Sequence, residues 1–93
     1  PDGFEVTGSP YGNIDETFNY VEEYNGKPSY HTDYGILRII TMSSGEWEDH
    51  WVIYDNIDSN VLYYHPDITD YPSPTGWLKR YDDSETDIVL SPI

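Results

Sequence analysis

Thr17-Phe18-Asn19-Tyr20-Val21-Glu22-Glu23-Tyr24-Asn25-Gly26-Lys27-Pro28-Ser29-Tyr30 is the stretch on which the reading of the fold turns. Phe18 and Tyr20 are two residues apart, which in an extended chain puts both on one side of a sheet. Asn25-Gly26 follows directly. This pair suits the two positive φ angles of a type I′ turn, so the chain is predicted to fold back into a second strand through residues 29–34. Pro28 has no amide hydrogen for a ladder, which predicts that this second strand lies at a sheet edge or starts late.

On the N-terminal side, Phe4-Glu5-Val6-Thr7 alternates apolar and polar residues and is closed by Gly8-Ser9-Pro10, a strand and a turn. On the C-terminal side, Ile36-Leu37-Arg38-Ile39-Ile40-Thr41-Met42 is apolar on both parities, as a strand buried on both faces would be. In Glu46-Trp47-Glu48-Asp49-His50-Trp51-Val52-Ile53-Tyr54, a continuous strand would set Trp47, Asp49, Trp51 and Ile53 on one side. Asp55-Asn56-Ile57-Asp58-Ser59-Asn60 is a turn cluster. Val61-Leu62-Tyr63-Tyr64-His65, Trp77-Leu78-Lys79-Arg80-Tyr81 and Ile88-Val89-Leu90 complete the set of strands. Short strands with turns every eight to twelve residues point to one all-β domain. The expected fold is a single antiparallel β-sandwich or barrel-like meander of about seven to eight strands.

Composition agrees. The chain has no Ala and no Gln, and its good helix formers number 16 against 36 β-branched and aromatic residues. The 93 residues suit one small core. A net charge of −14 would also suit a disordered chain, but 16% aromatic residues spread along the sequence argue for folding. Four Lys and Arg against 18 Asp and Glu leave too few cations for a phosphate backbone, so no nucleic-acid partner is expected. No apolar run reaches the length of about 18 residues that insertion in a membrane requires. The absence of cysteine removes disulfides, thiolate metal sites and thiol nucleophiles. The chain opens Pro1-Asp2-Gly3 without an initiator methionine, and residues 1–93 read as a single module of a longer polypeptide.

Several spacings belong together: Phe4-x-Val6-x-Gly8, Tyr24-Asn25-Gly26-Lys27-Pro28-Ser29-Tyr30, Trp51-Val52-Ile53, Tyr63-Tyr64 and Pro74-Thr75-Gly76-Trp77. This order resembles a small β repeat module with an opening V-x-G, an N-G-x-P-x-Y hairpin, a W-x-I strand, a Y-Y pair and a closing P-x-G-W. Such modules are found in large multidomain proteins of protists, marine invertebrates and bacteria. The resemblance implies an autonomous β module for interaction or spacing, with no enzymatic activity attached to it, and the chain is read as an extracellular or cell-surface module. Asn13-Ile14-Asp15 and the acidic stretch after Tyr81 depart from the pattern.

Residues able to carry chemistry are few. His31, His50 and His65 lie in different predicted strands, and no paired-histidine spacing of a zinc site occurs. No G-x-S-x-G elbow is present. With 18 carboxylates, a pair at glycosidase spacing arises by chance, and a domain this small rarely encloses a deep pocket. The chain is therefore expected not to be an enzyme. Asp82, Asp83, Glu85 and Asp87 in one loop, and Asp55, Asp58 and Asn60 in another, offer the oxygens that calcium prefers. The competing reading is a solvated acidic surface. Trp51 and Trp77 are expected in the core. Trp47, with Tyr11, Tyr34 and Tyr71 in loops or at strand ends, is the candidate aromatic face for a glycan or protein partner. The alternative is a structural subunit that self-associates through exposed edges such as the Pro28 strand.

Overall fold

A computed structural model describes residues 2–93. Its strands are β1 (Gly3–Thr7), β2 (Thr17–Tyr24), β3 (Lys27–His31), β4 (Leu37–Thr41), β5 (Trp51–Asp55), β6 (Asn60–Tyr64), β7 (Leu78–Lys79) and β8 (Val89–Pro92). They form one eight-stranded sheet in the order β7-β6-β5-β4-β3-β2-β1-β8, with each neighbour antiparallel. The first seven strands follow one another as a meander, and the last returns to the far edge beside β1. Of the two expected architectures the chain takes the barrel-like one: a single sheet curled into a half-barrel.

The curl follows from where the apolar side chains fall. Registered pairs carry one buried row across the inner face, through Leu90 and Val6, Phe4 and Phe18, Tyr30 and Ile39, and Ile53 and Tyr63. Two register shifts, at Tyr20/Glu22 and at Ile53/Tyr54, interrupt the ladder, and such bulges bend and twist a sheet. Ile14, Trp77 and Ile88 come from outside the strands and fill the hollow, each at most 1% exposed. The smaller outer cluster of Ile40, Val52 and Val61 explains why β4 is apolar on both parities.

The segment between β6 and β7 closes the hollow through buried polar groups that find carbonyls. The Trp51 indole N–H donates to Thr69 O at 2.9 Å, and that of Trp77 to Ser73 O at 2.9 Å. His65, 5% exposed, has Nε2 2.9 Å from Thr75 O, while its Nδ1 accepts the Asp67 amide at 3.1 Å. That pair of partners requires the tautomer protonated on Nε2. The same segment reaches the outside of β8, where the Leu90 amide donates to Pro74 O at 2.8 Å.

The predicted hairpin turn is present, with φ of 55° at Asn25 and 77° at Gly26. Its second strand, however, is internal, between β2 and β4, and not at an edge. Pro28 is accommodated because pairing with β4 begins only at Tyr30. In a two-residue hairpin closed by Tyr24 and Lys27, the next pair, Glu23 and Pro28, is the one that exchanges no ladder bonds. The strand also stops at His31, before the predicted Tyr34, because Asp33–Gly35 forms a 3-10 turn with φ of 64° at Tyr34. The strand expected from Glu46 begins at Trp51, since residues 46–50 form a turn with φ of 64° at Asp49. Trp47 and Asp49 therefore do not share the side of Trp51 and Ile53.

Two glycine variants separate conformational from steric cost. Gly26→Ala places a Cβ in open space, so only the positive φ penalises it, by about 1–2 kcal/mol in urea unfolding. Gly8→Ala, also at positive φ, drives a Cβ into the Asp87 carbonyl oxygen and is expected to cost more than Gly26→Ala in the same measurement.

Candidate binding site

The four aromatics singled out in the sequence are not gathered on one face. Tyr34 stands at the tip of the 3-10 turn, 98% exposed. Tyr71 lines a shallow cleft with Tyr20, Pro28 and Tyr30. Trp47 is half-buried on the outer face, packed on Tyr64 with ring centroids 5.5 Å apart and capped by the Arg80 guanidinium 6.0 Å from its ring. Tyr11 lies in the loop between β1 and β2, 81% exposed. It is the one of the four that lines a cleft with a second, highly exposed ring.

That ring is Tyr81, 85% exposed, and the cleft of about 220 Å³ is completed by Asn13, Leu62, Tyr63 and Lys79. Each wall has a local cause. On the Tyr11 side, Ile14 is buried in the core and anchors the loop. The Asp15 carboxylate accepts bonds from the Ser9 amide at 3.0 Å and the Ser9 hydroxyl at 2.7 Å, which fastens the loop to itself. Those bonds hold the Asp15 carboxyl below the usual carboxylate range, the hydroxyl bond first. On the floor, the bulge opposite Ile53/Tyr54 leaves Leu62 outside the registered pairs, and its side chain packs against the inner cluster. Burial, then the neighbouring Tyr11 and Asp15, pushes the Tyr63 hydroxyl above its ordinary pKa. On the far side, the Arg80 guanidinium lies 5.1 Å from the Tyr81 ring and so links that ring to Trp47.

The cleft thus has an apolar floor, two highly exposed rings, an amide that both donates and accepts, and an ammonium. Tyr81 escaped the sequence reading because it was placed in a strand running from Trp77 to Tyr81. The strand is only Leu78–Lys79, and the chain turns outward from Arg80.

Of the carboxylates considered for calcium, Asp55 and Asp82 are engaged in their own turns and Asp83 with a strand residue. Asp82 accepts from the Ser84 hydroxyl at 2.7 Å and amide at 3.0 Å, and these bonds hold its carboxyl low. Asp83 accepts from the Tyr64 hydroxyl at 2.5 Å. Glu85 pairs by its backbone with Leu78, and the Asp87 carbonyl lies against Gly8. Asp55 accepts from the Ile57 and Asp58 amides, and Asn60 pairs with Asp55 in the ladder. Among the described residues, no three or more His, Asp or Glu side chains converge as a group able to hold a metal ion. His50 and His65 are tied to backbone, His50 Nδ1 to His65 O at 2.8 Å.

Comparisons with protein-family models, with curated proteins and with solved structures found no match.

The Tyr64–Asp83 pair makes a pH prediction. The bond to Asp83, then desolvation, then the carboxylate charges, raises the Tyr64 pKa from 10.0 to about 12. A raised folded-state pKa means that the stabilisation is complete below about pH 10 and is lost as pH rises through about 12. Ultraviolet titration of phenolate is expected to find a late fraction that includes Tyr64 beside the buried Tyr30 and Tyr63, and Asp83→Asn to bring Tyr64 back toward 10.0.

Proposed function

We propose that the chain is a non-catalytic interaction module that holds a saccharide between Tyr11 and Tyr81. The observation that carries this reading is two almost fully exposed tyrosines, from loops far apart in sequence, lining one cleft with an apolar floor. A sugar ring has an apolar face that stacks on an aromatic ring and an edge of hydroxyls that need both donors and acceptors. Asn13, Lys79 and the tyrosine hydroxyls supply those at the rim. A stable protein interface engages roughly 20–30 residues a side, whereas six residues line this cleft. The likeness to a repeat module of large multidomain proteins implies the same kind of role.

Assembly by strand addition finds little support in the sheet. One edge strand, β7, has two residues, and the outer side of β8 is met by the Pro74 carbonyl. The Pro28 strand that was expected to offer an edge is internal.

Titration with neutral cello-, chito- and malto-oligosaccharides, followed by amide chemical shifts, tests the reading. One series is expected to shift the Asn13, Leu62 and Lys79 signals saturably at millimolar concentration. Tyr11→Ala and Tyr81→Ala are each expected to weaken that binding about two- to tenfold, the worth of one aromatic contact, and Tyr34→Ala to leave it unchanged. Absence of saturable shifts at this cleft with every series overturns the proposal.

A further inference from the structure

The outer face of the sheet has a groove of its own, of about 180 Å³, remote in the register from the Tyr11 loop. Its centre is a row across three strands, His31 on β3, Arg38 on β4 and Tyr54 on β5, each registered opposite the next. Ile40 and Met42 give it an apolar lining, and Glu22 and Asn56 stand in its wall.

Arg38 is the cation of this row. The chain has 18 carboxylates for four Lys and Arg. Lys27 pairs with Asp70 at 2.6 Å, and Arg80 lies over two aromatic rings. Arg38, like Lys79 and Arg80, forms no ion pair among the described residues. Its side-chain hydrogen bond runs from Nε to the Gly35 carbonyl at 3.1 Å. The 3-10 turn places that carbonyl, and Gly35 lies so close that a Cβ there would stand 3.1 Å from Arg38 Nη2 and 3.7 Å from His31 Nδ1. Anchoring through Nε orients the guanidinium and leaves its Nη1/Nη2 edge for a carboxylate, which such an edge binds through two parallel bonds.

We propose that this groove binds an acidic monosaccharide unit, with its carboxylate on the Nη1/Nη2 edge of Arg38 and its hydroxyls on Glu22 and Asn56. A free carboxylate alone would find Glu22 opposing it. A uronate brings hydroxyl donors that Glu22 accepts and an apolar ring face for Ile40 and Met42. Burial, then the Arg38 charge, lowers the His31 pKa against an opposing effect of Glu22, so the ring meets the ligand uncharged at neutral pH. The overall charge of −14 repels an anion at long range, but salt screens that beyond about 8 Å, and the contact with Arg38 remains. The volume, below the roughly 300–1,000 Å³ of sites for larger ligands, suits a single sugar unit.

The test titrates the protein at matched ionic strength with galacturonate, galactose and acetate, reading the amide shifts of His31, Arg38 and Asn56 and the titration of the His31 ring. Galacturonate is expected to saturate at a Kd of about 1–10 mM and to raise the His31 pKa, with galactose and acetate each at least about tenfold weaker. Arg38→Gln is expected to remove the preference for the acid over galactose, and Arg38→Lys, which keeps the charge without the fork, to recover only part of it. Retained dispersion in the variant spectra shows that these proteins fold. Tyr11→Ala is expected to leave this binding intact, which separates the groove from the Tyr11–Tyr81 cleft. Equal binding of galactose overturns the role of Arg38, equal binding of acetate overturns the sugar, and no saturable shift with galacturonate overturns the site.

Discussion

A single sheet has two faces and can bury only one of them against itself. Everything else in this molecule follows from how the inner face is closed. The sheet curls, and the hollow receives Ile14 from the first loop, Trp77 from the long connection and Ile88 from the last. The connection between β6 and β7 stays in place because the polar ends of Trp51, His65 and Trp77 find carbonyls along it. Left unmade, each of those buried groups would cost about 1–3 kcal/mol, so the loop and the core hold each other.

The two proposed sites are by-products of that closure. Ile14 draws the first loop across the open side of the half-barrel, and this brings Tyr11 into the same cleft as β6, β7 and Tyr81. On the other face, the short turn at Asp33–Gly35 lets β4 return beside β3 and delivers the carbonyl that orients Arg38. The acidic residues serve a different end. Asp15, Asp55 and Asp82 tie turns through their own neighbours, Asp83 holds the Tyr64 hydroxyl, and Asp70 pairs with Lys27.

The hairpin, the strand at residues 37–41 and the burial of Trp51 and Trp77 were legible because each depends on near neighbours in sequence: a turn pair, a period of two, an apolar run. Three features were not. The bulge beside Leu62 has no local signature, since it answers a mismatch between two strands in register. The turn at residues 46–50 read as strand because Trp47 fits the alternation, and the positive φ of Asp49 overrides that pattern. Pro28 was read by a rule about whole strands, whereas its tolerance depends on where the next strand begins to pair.

For the sites the division is sharper. Tyr11 was named as an exposed aromatic from its loop context, and it is exposed. Its cleft partner Tyr81 was invisible because the cleft joins residues far apart along the chain, and the orientation of Arg38 because the 3-10 turn that presents the Gly35 carbonyl was read as strand. Composition and alternation suffice for an all-β chain with about eight strands, because backbone preference and side-chain parity act over a few residues. Whether those strands make two sheets or one curled sheet, and which exposed rings share a cleft, depends on register and loop closure. Those are set by the summed packing of the inner face, a quantity that no local stretch of this chain contains.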